Sequence, residues 1–169
     1  MTDIKIQMNN IGKVFETDDI ETHALKDVNL EIRAGEYVSI AGPSGCGKST
    51  LLSLLGLLDM PSSGSYVIEG MDVSSLSLDE AAHMRNEKIG FVFQSFNLID
   101  ELSVFDNVAL PLQYKKVPPT EAFIKERVDT CLKMVEMEHR ADHKPNQLSG
   151  GQQQRVALVR ALAPQPRIL

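Results

Sequence analysis

Apolar and polar residues alternate along the first 35 positions, with Ile4, Ile6 and Met8 and later Val28, Leu30 and Ile32 at period two. That spacing puts every second side chain on one face and predicts half-buried strands of an antiparallel sheet. Residues 36–41 (EYVSIA) form an apolar run leading into a glycine-rich turn, and a further strand is expected there. From Lys48 to Leu58 the spacing becomes helical, and the leucine pairs at 51–52, 54–55 and 57–58 predict a buried helix held by packing. Pro61-Ser62-Ser63-Gly64 reads as a turn, Tyr66-Val67-Ile68 as a strand, and Ile89 to Phe93 as an apolar strand ending at Gln94. Ser77 followed by Glu80 fits a capping box that opens a short helix to about Arg85.

Beyond residue 95 the helical period takes over. Val117-Pro118-Pro119 breaks the chain, and Thr120 is placed to cap a helix over roughly 121–137. In that helix Ile124, Val128, Cys131, Leu132 and Val135 share a face, with Lys125, Glu126, Asp129, Lys133 and Glu136 mostly opposite. A last helix is expected from Gly150 to just before Pro164. Strands first and helices after predict an α/β core carrying a helical subdomain.

The composition narrows the function. With 43% apolar and 24% charged residues in 169, the chain has the profile of a soluble globular domain. Lys and Arg number 17 against 23 Asp and Glu, and a net charge of −6 disfavours non-specific binding to nucleic acid. Leu51 to Leu58 is interrupted by Ser53 and Gly56, far short of the roughly 20 apolar residues that span a bilayer. Met1-Thr2-Asp3-Ile4-Lys5 does not read as a secretory signal, and two cysteines are too few for a disulfide framework, so a reducing, cytosolic compartment is expected. His139 and His143 lie four apart, but Arg140 stands where a zinc-protease motif needs Glu, and they read as a solvated surface pair.

Gly42-Pro43-Ser44-Gly45-Cys46-Gly47-Lys48-Ser49-Thr50 matches G-x-x-x-x-G-K-[ST]. Glycines let successive backbone N–H groups turn inward around a phosphate, and the following helix directs its positive end at the same anion. Lys48 supplies a full charge between the β- and γ-phosphates of a bound triphosphate, the Ser49 hydroxyl can ligate Mg²⁺, and Thr50 can hydrogen-bond a phosphate nearer the base. Cys46 reads as a small residue tolerated in the loop, and Cys131 as core.

A second glycine motif, Leu148-Ser149-Gly150-Gly151-Gln152, is followed by Gln153-Gln154-Arg155. Ser149 and Gln152 make a capping box, but a cap needs no pair of glycines, each of which weakens a helix by about 1 kcal/mol relative to Ala. They make sense where the backbone must approach something closely. In these residues the chain resembles the ATP-binding subunits of ABC transporters, whose signature is LSGGQ, and the resemblance runs over nearly its whole length. The order is the same: phosphate loop, Gln94 after a strand, and the signature 55 residues later. The stretches 91–98 and 146–155 look most like the lipoprotein-release and macrolide-exporter branch.

The resemblance implies a P-loop NTPase core with an N-terminal antiparallel β subdomain and an inserted α-helical subdomain. Residues 1–95 would form the ATP-binding core with its β subdomain, 96–163 the helical signature part, and 164–169 the start of the next core strand. It implies a head-to-tail dimer in which Ser149, Gly150, Gly151 and Gln152 of one copy meet the nucleotide held by Lys48 of the other. Gln94 resembles the glutamine that reaches Mg²⁺ and the attacking water, and Phe15 the aromatic that stacks on adenine. Residues 95–112 would face membrane permease subunits, at the cytoplasmic face of the membrane. The family's Asp-Glu pair, which orients Mg²⁺ and activates water, is expected beyond Leu169, so the chain reads as a fragment with little hydrolytic activity of its own. The alternatives are a non-transport ABC ATPase, regulating cell-wall enzymes or acting on the ribosome, and a plain P-loop kinase, against which LSGGQ argues.

Overall fold

A computed structural model describes residues 3–17 and 20–169, which form two compact units divided between Ala81 and Ala82. Gln94 lies in the second of them.

The first unit is built on an antiparallel sheet. Strands β1 (Ile4–Thr17) and β2 (Ile20–Arg33) pair as the alternation predicts, and β1 also pairs with β3 (Ser63–Ile68). A two-residue β4 (Met71–Asp72) completes the order β2-β1-β3-β4. Ile6, Met8, Tyr66 and Ile68 are buried at period two, as one face of a half-buried sheet requires, and Ile11 is buried beyond a shift of register between Met8 and Ile11. Helix α1 (Lys48–Leu55) buries Leu54, with Leu57 just beyond its end. The Tyr66 hydroxyl donates to the Leu55 carbonyl at 2.8 Å, tying β3 to the end of α1, and burial pushes its phenol well above the usual range.

Two expectations fail here for one reason. Residues 36–41 are not a strand, and Tyr37 is 97% exposed. Ile89 to Phe93 is not one either: its one sheet contact is a parallel bridge from Ile89 to Ile168, with Gly90 N–H donating to the Ile168 carbonyl at 2.8 Å. Continuous apolar runs are parallel-sheet strands, which need a neighbour on each edge to satisfy their backbone groups. Among the described residues the named strands pair only with one another, all antiparallel. The helix at 48–58 is correspondingly less buried than expected. It ends at Leu55, and Leu52 and Leu58 are 55% and 50% exposed.

Helix α2 (Leu78–Lys88) follows the Ser77–Glu80 capping box, in which Ser77 Oγ donates to Glu80 Oε2 at 2.6 Å. The second unit packs α3 (Val104–Gln113), α4 (Glu121–Met134) and α5 (Gly150–Leu162) around Val104, Val108, Leu112, Val128, Leu132 and Val156. Thr120 caps α4 by accepting from Phe123 N–H at 3.3 Å. Helix α3 was not anticipated by the hydrophobic reading. Ser103 opens it by accepting from Asp106 N–H at 3.0 Å, and Pro111 lies inside it. Among the described residues, no helix is long and apolar enough to cross a membrane.

Asn107 of α3 is the buried polar residue of this core. Its amide accepts from Ile99 N–H at 2.8 Å and donates to the carbonyls of Ile99 at 3.0 Å and Ser103 at 2.9 Å. It shapes the loop 99–103 from inside, as a substitute for sheet or helix bonds that the loop lacks. Replacing it with leucine fills the space but leaves the Ile99 N–H without its acceptor, roughly 1–3 kcal/mol when buried, while the Ile99 and Ser103 carbonyls keep bonds from the Leu102 and Asn107 N–H groups. Asn107→Leu is therefore expected to cost about 2 kcal/mol or more in urea unfolding, and to raise hydrogen exchange first at 99–103.

Candidate functional site

The phosphate loop lies between the exposed segment 36–41 and α1. Gly45 has φ 82° and Gly47 has φ 88°, and Gly47 is the N-cap of α1 without any side-chain cap. A Cβ on Gly47 would stand 2.7 Å from the Ala24 carbonyl oxygen and 2.8 Å from Leu25 Cδ2, because β2 passes directly behind the loop. The first helical bond runs from Leu51 N–H to the Gly47 carbonyl at 2.8 Å. Helix geometry therefore leaves the N–H groups of Lys48, Ser49 and Thr50 without intrahelical acceptors, at the positive end of the helix. Gly42, Pro43, Ser44 and Cys46 are exposed around this mouth.

Lys48 does not project into solvent. Its Nζ donates to the Gly42 carbonyl at 2.8 Å and the Pro43 carbonyl at 2.6 Å, and lies 3.5 Å from Cys46 Sγ. The loop thus holds its own cation over its mouth. Phe15, on β1 of the same unit, is 44% exposed, and Lys13 Nζ stands 5.0 Å from its ring centroid. Lys13 is anchored in turn by Asp59 Oδ1 at 2.6 Å and the Met60 carbonyl at 2.9 Å. A cation on one ring face is a favourable contact in its own right.

The helical unit carries the remaining residues. Gln94 is exposed in an irregular segment, just after Phe91 and Phe93 stack at 5.4 Å between centroids. Ser149 is the N-cap of α5. Its Oγ accepts from Gln152 N–H at 3.4 Å, and Gln152 Oε1 accepts from Ser149 N–H at 2.9 Å. The capping box is complete, and the Ser149 O–H has no acceptor among the described residues. A Cβ built on Gly150 or Gly151 meets nothing within 4 Å. Among the described residues, nothing packs against either position in a way that requires glycine.

The histidine pair differs from its expectation. His139 is exposed, but His143 Nε2 lies 2.8 Å from Arg140 Nη1. Arginine only donates, so this imidazole accepts at Nε2 and carries its proton on Nδ1. Among the described residues, no three His, Cys, Asp or Glu side chains cluster as a metal site would need.

A left-handed glycine turn that ends in Gly47-Lys48-Ser49-Thr50 at a helix start defines the P-loop class of nucleotide-binding proteins. More narrowly, the chain belongs to the ABC transporter family, whose family model matches residues 25–169. It is 49% identical over 166 residues to the uncharacterized ABC transporter ATP-binding protein MJ0796 of Methanocaldococcus jannaschii, covering 97% of this chain and 71% of that one. It is 48% identical to the methionine import ATP-binding protein MetN 1 of Bacillus thuringiensis subsp. konkukian, over 97% of this chain and 48% of that protein. With the macrolide export ATP-binding/permease protein MacB of Bdellovibrio bacteriovorus it shares 45% identity, over 97% of this chain and 25% of that protein. A solved dimeric structure of MJ0796 in a post-hydrolysis state, bound to ADP and Pi, matches with a TM-score of 0.85 at 48% identity, covering 95% of this chain and 70% of that chain. The fold is that of an α/β P-loop NTPase, and the chain belongs to the ATP-binding domains of ABC transporters, which as complete proteins are ATPases.

Proposed function

We propose that two copies of this protein close on ATP head to tail, and that this closure drives membrane permease subunits. Each triphosphate lies between the phosphate loop of one copy and the start of α5 of the other. The observation that supports this reading is the glycine pair at 150–151. The cap of α5 is already made by Ser149 and Gln152, and both glycine Cβ positions are open. Two residues that weaken the helix are thus explained by something outside the chain approaching closely. The free N–H groups there, the Ser149 O–H and the helix dipole suit an anion.

The roles follow from the donors. N–H groups of the loop and of α1 hold the phosphates, and Lys48 exchanges its two carbonyl acceptors for phosphate oxygens. Phe15 offers adenine the ring face that Lys13 does not cover. Ser49, at the start of α1, is exposed and brings a hydroxyl oxygen, the donor type Mg²⁺ takes, and would hold it there; Gln94 carries an exposed amide oxygen of the same donor type. When bound, Mg²⁺ would neutralise charge on the β- and γ-phosphates. Gln94 also orients water for attack. Residues 95–112 receive the permease, which places the protein at the cytoplasmic face of a membrane, and residues 164–169 open the next strand of the core beside Ile89.

Gly151→Asp tests the sandwich without attacking the fold. An acid in the first turn favours the helix dipole, and the Cβ has room. The same carboxylate stands where the γ-phosphate of the other copy would sit. Thermal stability should be kept and single-site ATP binding unchanged. Dimerisation of the full-length protein with a non-hydrolysable ATP analogue, followed by sedimentation, should weaken at least fiftyfold. A variant that dimerises like the parent overturns this reading.

A further inference from the structure

The signature helix carries at its far end an arginine that bonds to the loop after Gln94 and not to any acid. Arg160 lies ten positions beyond Gly150, about 15 Å along α5. Its Nη2 donates to the Phe96 carbonyl at 2.7 Å, and its Nη1 to the Asn97 carbonyl. Phe96 and Asn97 have φ of 61° and 49°, two consecutive left-handed residues, neither of them glycine. Asparagine tolerates that conformation, but for Phe96 it is unfavourable and persists only where its surroundings hold it. Successive carbonyls in a left-handed turn point the same way, and the planar fork of a guanidinium spans such a pair where an ammonium does not. Among the described residues Arg160 has no carboxylate partner, and burial lowers its pKa from the ordinary arginine value.

We propose that Arg160 is a positioning residue that makes the Gln94 loop and the signature helix one moving part. A shift of α5 at the Ser149 end is then passed to Phe96 and Asn97, and through them to Gln94. The inference rests on the roles proposed above for Gln94 and the signature. Arg127 provides a matched control. It also gives two guanidinium bonds, to the Ala163 and Leu162 carbonyls at 3.0 Å each, but these tie α4 to the end of α5 and do not reach the Gln94 loop.

The test compares Arg160→Gln, Arg160→Lys and Arg127→Gln in the full-length protein, by hydrogen exchange and by steady-state ATP hydrolysis. Arg160→Gln should speed exchange at 93–99 at least tenfold and lower kcat at least fivefold, with KM within twofold. Arg160→Lys, reaching one carbonyl, should fall between, and Arg127→Gln should leave 93–99 as in the parent. Unchanged exchange at 93–99 overturns the proposal, as does a parental kcat despite faster exchange, or an equal kcat loss in Arg127→Gln. Should Arg160→Gln not fold, the lysine variant carries the same comparison. A parent that binds no ATP would sink the proposed function instead, and exchange at 93–99 would still decide whether Arg160 holds the loop.

Discussion

Replacing Lys48 with methionine is expected to lower ATP affinity about a hundredfold while leaving the fold standing. The ammonium has two demands on it. It donates to the Gly42 and Pro43 carbonyls at 2.8 and 2.6 Å, and phosphate oxygens compete with those carbonyls for the same N–H groups. A unit charge about 4 Å from a phosphate oxygen at an effective dielectric near 20 gains about 4 kcal/mol. Surrendering two hydrogen bonds, each worth about 1 kcal/mol net, leaves roughly 2–3 kcal/mol, or about a hundredfold. Methionine keeps the length of the stem and removes the charge. Equilibrium titration with a fluorescent ATP analogue measures the affinity, and urea unfolding checks that the loss is not one of folding. An affinity within fivefold of the parent would mean that backbone N–H groups hold the triphosphate unaided.

What could be read from the chain sorts by how far apart the interacting residues are. The caps at Ser77, Thr120 and Ser149 were legible because each joins residues three apart, and all three form. The pairing of β1 with β2 was legible because period-two alternation is a property of the strand itself. Helix α3 carried equally local signals, Ser103 three before Asp106 and Val104, Val108 and Leu112 at helical spacing, with Pro111, which has no N–H to give the helix, as the contrary one. The strands at 36–41 and 89–93 were overestimated for the opposite reason. An apolar run says that a segment suits a buried parallel strand, but the ladder belongs to the neighbours. Of the two, only Ile89 finds one here, in Ile168.

The phosphate loop and the signature announced themselves through spacing, whereas the contacts that shape their surroundings did not. Arg160 and Asn97 are 63 positions apart, and Lys13 and Asp59 are 46 apart. An arginine near the end of an amphipathic helix carries no mark of the carbonyls it will meet. Asn107 was hidden differently: a polar residue within an apolar helix face signals a buried network only once the loop it satisfies has been placed.

The two left-handed glycines of the phosphate loop should separate stability from binding. Gly47→Ala puts a methyl group 2.7 Å from the Ala24 carbonyl oxygen and 2.8 Å from Leu25 Cδ2, at φ 88°. The backbone conformation alone costs an alanine about 1–2 kcal/mol, and forcing β2 away from the loop adds roughly 1–3 kcal/mol. Loss of about 2–5 kcal/mol is therefore expected on unfolding, together with loss of nucleotide binding, because β2 backs the start of α1. Gly45→Ala shares the strain at φ 82° but meets nothing within 4 Å. It should lose only about 1–2 kcal/mol, yet its methyl group stands on an exposed turn whose backbone must come close to phosphate. ATP affinity should fall at least tenfold in a protein that still unfolds cooperatively. Urea titration of both variants beside ATP titration of both decides the matter. If Gly47→Ala were as stable as Gly45→Ala, the packing of β2 against the loop would not be what demands glycine there.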